Sequence, residues 1–151
     1  MISVDYKKEV AQACKDNLLE SINILQEEMK MLQESAASGT EDGMSDHLES
    51  NDEGMMNERK DRENRLAVLY DDLRFLGELD LNVPMDHIGP GSVVLTDARN
   101  FFVAIARTFQ VGDKAFVGLS TSAPIYGVME GKRTGENFSF NSLHTVINDV
   151  V

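Results

Sequence analysis

A chain of 151 residues, with 42% hydrophobic and 26% charged side chains, has room for one ordinary domain or two very small ones and is too apolar to be disordered throughout. Acidic residues outnumber basic ones 26 to 14, and a net charge of −12 argues against direct binding of duplex DNA, which draws on a basic face. The lone Cys14 excludes an internal disulfide or a cysteine zinc cluster. No apolar run reaches the roughly eighteen residues a membrane span needs, and the first residues lack a signal-peptide pattern, so the expectation is a cytoplasmic protein with no membrane partner.

The charge is segregated. Residues 1–80 hold 9 Lys and Arg against 20 Asp and Glu, whereas residues 81–151 hold 5 against 6 and are richer in glycine. Two regions, 1–80 and 81–151, therefore meet near Leu81-Asn82-Val83-Pro84.

From about Tyr6 to Ala37 there is neither proline nor glycine. Apolar residues recur at Ala11, Cys14, Leu18, Ile22, Leu25, Met29, Leu32 and Ala36, always three or four apart, which predicts a long helix with one narrow apolar stripe. Leu66, Leu69, Leu73 and Leu76, with Tyr70 and Leu79 beside them, repeat the pattern. Two narrow stripes suit each other, so the expected arrangement is an antiparallel two-helix coiled-coil hairpin whose tip lies near 38–54. Two helices of a larger bundle, or of a homodimeric one, fit the same periodicity.

After Pro90 the chain becomes rich in β-formers. Gly91–Thr96 and Asn100–Arg107 read as strands joined through Asp97-Ala98-Arg99, and Ala115–Leu119 as a third strand after the Gly112-Asp113 turn. Ser122–Met129, with a capping residue and an early proline, reads as one short helix. Phe138–Phe140 and Thr145–Ile147 close the sheet as a hairpin around Asn141-Ser142. The fold class is α+β, with a small antiparallel sheet packed on one short helix.

Chemistry concentrates at the tip. Between Lys30 and Arg59 there is no Lys or Arg, yet Glu34, Glu41, Asp42, Asp46, Glu49, Asp52 and Glu53 crowd together. Like charges repel unless a cation or a cationic surface offsets them. Asp46 and Glu49 stand three apart, a spacing that puts two carboxylates on one helix face, where they can share a magnesium ion or orient its water. The same pair is a capping box that opens a helix, and the two readings are compatible. His47 reads as an exposed histidine and Cys14 as a small core residue. No nucleophile elbow, phosphate loop or paired zinc-binding histidines occur, so no hydrolase machinery is visible.

A long acidic-tipped helical hairpin followed by a small sheet resembles the bacterial Gre transcript-cleavage factors. Ser122-Ala123-Pro124-Ile125 followed by Gly131-Lys132-Arg133-Thr134-Gly135-Glu136 is similar to the family's Ser-x-Pro-Ile segment and its Gly-Lys-x-x-Gly-Asp/Glu turn. Ser45-Asp46-His47-Leu48-Glu49-Ser50 resembles the family's Gly-Asp-Leu-x-Glu-Asn tip and keeps both acids three apart. It departs from that tip in Ser45 for glycine, Leu48 shifted by one position, and Ser50 for asparagine.

The resemblance implies an FKBP-like second domain that docks on RNA polymerase through Ser122, Pro124, Ile125 and Tyr126, with the hairpin entering the polymerase secondary channel. Asp46 would then help hold a magnesium ion shared with the polymerase, and Glu49 would orient the attacking water, so that the polymerase cleaves the 3′ end of backtracked RNA. The chain would be an accessory factor and not itself an enzyme. The departures in the tip keep open a channel-binding modulator or inhibitor without cleavage. A peptidyl-prolyl isomerase, suggested only by the implied fold, would need an aromatic-lined proline pocket, and the chain has no tryptophan and 7% aromatic residues.

Overall fold

The computed structural model describes residues 2–39 and 45–151, with side chains for all of these except 35–39, 45–53 and 55. Two long helices, α1 (Val4–Gly39) and α2 (Ser45–Glu78), precede a six-stranded sheet and a short helix. The strands are β1 (Val93–Thr96), β2 (Asn100–Val103), β3 (Arg107–Val111), β4 (Lys114–Leu119), β5 (Asn137–Phe140) and β6 (Leu143–Val150), and α3 (Pro124–Met129) lies between β4 and β5. Compactness divides the chain into Met1–Asn17 with Leu73–Val151, and Leu18–Asp72. The change of composition near residue 80 thus marks where helix gives way to sheet, while the first turns of α1 and the last of α2 belong with the strands.

In the Leu18–Asp72 unit the predicted stripe is real. Leu18, Ile22 and Leu25 are buried, and Met29 and Leu32 are half-buried. The Gln26 side-chain amide donates to the Tyr70 hydroxyl at 2.6 Å, and Arg62 reaches Glu28 on the other helix at 3.3 Å and Glu58 on its own at 3.8 Å. Such exposed ion pairs contribute little to stability, so burial of the stripe does most of the stabilising.

The sheet unit has the strand order β3-β4-β2-β1-β6-β5. It is mixed, not antiparallel: β2 and β4 run parallel, with Phe101 opposite Val117 and Val103 opposite Leu119. The expected single strand Asn100–Arg107 is in fact two elements. β2 stops at Val103, the chain turns through Ala104–Ala106, and β3 pairs with β4 in a hairpin around Gly112-Asp113. That reversal puts β3 outside β4 and leaves β4 free to lie parallel to β2.

The Thr96–Asn100 connection is tight because the Thr96 hydroxyl accepts the backbone N–H groups of Ala98 and Arg99 and donates to the Arg99 carbonyl. The expected β5–β6 hairpin forms, with Asn141 and Ser142 both at positive φ, as a two-residue turn matched to strand twist requires.

Alternation along the strands fills two faces. Phe101 and Val103 of β2, Leu119 of β4, Phe138 of β5, and Ile147 and Val150 of β6 meet Tyr126 and Met129 of α3 in one core. Ile147 and Val150 share that face despite their odd spacing because the β1–β6 register slips between Leu95 and Thr96, a bulge that switches the parity of β6. Phe102 points the other way, with its ring edge-on to Phe109, which stacks on Phe116 at 5.7 Å. Tyr6 of α1 meets Phe116 at 6.4 Å, and Arg107 donates to the Asn17 side chain at 2.6 Å. The sheet is therefore approached on both faces, where the sequence suggested packing on one helix alone. Cys14 is fully buried, the small core residue it was expected to be.

Candidate functional site

Two places carry the sequence-derived site residues. Asp46 and Glu49 belong to the first turns of α2, which begins at Ser45, so a helix start does fall at the acidic pair. Their side chains, and that of His47, lie outside the described residues. Two carboxylates three apart suit a magnesium ion that keeps its waters and takes further ligands from elsewhere. Among the described residues, no group of three or more His, Cys, Asp or Glu side chains is arranged to hold a metal.

The second place is the approach to α3. The helix begins at Pro124, capped by the extended Ala123 without a side-chain bond. Ser122 is therefore not the cap that the sequence suggested, and its hydroxyl instead shares a hydrogen bond with Ser120 at 2.7 Å. Pro124 at the first helical position costs nothing, since its missing N–H would have no partner there. Ser122 and Pro124 are exposed and Ile125 is half-buried, whereas Tyr126 is only 5% exposed and belongs to the core. Burial, and secondarily the nearby Glu130 carboxylate, push the Tyr126 phenol above its usual pKa. What a partner can touch here is Ser122, Pro124 and the outer part of Ile125.

Ile125 also borders a cavity of about 370 Å³ walled by Phe101, Leu119, Phe138, Phe140 and Leu143, with Arg99 among its lining residues. Three of the chain's seven phenylalanines converge there despite the low aromatic content. Sequence reasoning missed this cavity, because its wall comes from four strands and a helix whose adjacency depends on the mixed topology. The alternation of Phe138 and Phe140 along β5 was the one local hint.

The Gly131–Glu136 motif is explained by local geometry. Gly131 and Gly135 have φ of 78° and 89°, a region that side chains other than glycine rarely adopt. Gly131 and Lys132 exchange backbone hydrogen bonds with Ile88, while the Glu136 carboxylate accepts the Arg133 N–H at 3.0 Å. These residues build the return from α3 to β5.

One further cluster had no sequence signal, since Arg133 lies far along the chain from the adjacent Asp86 and His87. Asp86 lies 2.7 Å from His87 Nδ1 and 3.4 Å from the Arg133 guanidinium, at a cleft of about 830 Å³. The hydrogen bond from His87, followed by the charge of Arg133, holds the Asp86 carboxyl below its usual pKa. All three side chains are exposed, so they form a solvated polar cluster with no enclosed reaction site.

Among the described residues no helix is long and apolar enough to cross a membrane. Neither a family model nor a curated protein matches the chain.

Proposed function

We propose that the chain is a bacterial transcription elongation factor of the Gre type, an accessory protein that lends carboxylates to RNA polymerase. The observation that carries this reading is the Ser122-Ala123-Pro124-Ile125 segment, with Ser122 and Pro124 exposed and Ile125 bordering an apolar cavity, in a chain whose two long helices flank a stretch of acidic sequence. On this reading α1 and α2 form an antiparallel coiled-coil hairpin, which the Gln26–Tyr70 and Arg62–Glu28 contacts favour, and the sheet unit is an FKBP-like anchor.

The physics is that of a negative probe and a positive host. A run without Lys or Arg between Lys30 and Arg59 is self-repulsive in isolation and is offset inside a basic channel. Asp46 would help hold the polymerase's weakly bound magnesium, and Glu49 would orient the attacking water. Magnesium, when bound, stabilises the charge that develops on the phosphate. Ser122, Pro124 and Ile125 meet the polymerase rim, and Tyr126 supports them from beneath.

The test is a halted, backtracked complex of the cognate polymerase with the chain and magnesium. Shortening of the RNA that disappears in the Asp46→Ala/Glu49→Ala variant is the expected result. Serine at positions 45 and 50 of the tip favours a second reading, a channel-binding modulator, whose signature is binding without shortening. Absence of binding would discard both.

A further inference from the structure

At the root of the two helices, within the sheet unit, α1 and the end of α2 with its following loop enclose a groove of about 550 Å³. Its floor is apolar, made by Ala11, Leu76, Leu79 and Leu81 among others. The charged residues that line it are both lysines, Lys8 and Lys15. In a chain of net charge −12, two cations at an apolar groove with no acid in its lining stand out from the composition. Neither ammonium has an ion-pair or hydrogen-bond partner among the described residues. Gln12, between them, donates its amide to Asp16 at 2.8 Å.

We propose that this groove docks an acidic amphipathic helix of a partner protein. Lys8 and Lys15 are seven residues apart, two helical turns, which places them about 10 Å apart along α1. Glutamates seven apart on a facing helix span the same distance, and the leucines at the intervening third and fourth positions then fall on the apolar floor. That is the spacing by which helices pack with a hydrophobic seam and flanking charge pairs. A small amphiphile has one anionic head and meets one lysine only, so the two-lysine spacing favours the helix. The proposal is independent of polymerase binding through Ser122–Ile125, since none of those residues lines the groove.

The probe is a synthetic helical peptide with glutamates seven apart flanking two leucines, dye-labelled and titrated with the full chain by fluorescence anisotropy. Binding is expected to weaken at least tenfold in the Lys8→Glu/Lys15→Glu variant and to weaken with added salt. Both lysines are exposed, so the variant keeps its fold, which circular dichroism checks. Replacing the peptide's glutamates with lysines is expected to abolish binding to the native chain and restore it to the variant. Equal binding of both peptides by the native chain, or no binding at millimolar concentration, would overturn the proposal. So would sedimentation showing that the chain pairs with itself and that the charge reversal separates the copies, because the groove would then belong to a second copy.

Discussion

At the scale of single residues, close approach and burial decide what can change. Gly118 sits where an added Cβ would lie 2.3 Å from the Ile105 carbonyl and 2.8 Å from that of Arg107, both backbone atoms that cannot swing away. Gly118→Ala is expected to destabilise the chain by about 1–3 kcal/mol or more, read from urea unfolding. Lys7 is fully buried, and its ammonium donates to the Val83 carbonyl at 3.1 Å. Burial lowers its pKa from 10.5, while Asp80 opposes the shift. In the alkaline window between the lowered folded value and 10.5, the unfolded chain holds a proton that the folded one has released, so stability rises with pH there. Unfolding titrations of the native chain and Lys7→Met should therefore diverge in favour of the native chain as pH approaches 10.5 from below; parallel curves would show that Lys7 is not penalised by burial.

Among the elements, turns were the most legible and strand neighbours the least. Asn141-Ser142 announced its hairpin because short polar residues tolerate positive φ, and Ser142 at φ 67° still carries a strain that glycine would not. Ser142→Gly should raise stability by roughly 0.5–1 kcal/mol in the same assay. Periodicity made α1 and α2 readable, since a stripe such as Cys14, Leu18 and Ile22 has one physical meaning at helical spacing. β3 was missed because Thr108-Phe109-Gln110-Val111 follows directly on an apolar run, and nothing local says that Ala104–Ala106 turns the chain. The parallel β2–β4 pair was missed for the same reason, and with it the cavity beside Ile125. Of the candidate site, the exposure of Pro124 could be read from its place at a helix start, whereas the burial of Tyr126 depends on a core assembled from distant strands. On the proposed polymerase-docking reading, Ile125→Ser should weaken polymerase binding at least tenfold while Tyr126→Phe leaves it within a factor of two, as measured by competition on the assembled elongation complex.

For the whole molecule, charge and connectivity set the behaviour. The Leu18–Asp72 unit holds 15 acidic and 5 basic residues, nearly all of the chain's net charge. Raising salt from about 20 to about 200 mM shortens the reach of that repulsion and should lift the melting midpoint of the helical signal by a few degrees. A midpoint that stays put or falls would mean that the repulsion is already offset within the unit. Because the chain leaves the sheet unit after Asn17 and returns at Leu73, the intervening helices are an insertion within a single folding module. Closing such an excursion costs only about 0.6 kcal/mol more when its length doubles. Whole helical turns added to or removed from the Leu18–Asp72 segment should therefore leave the strand pairings of the other unit unchanged, so the length of the excursion can vary independently of the sheet.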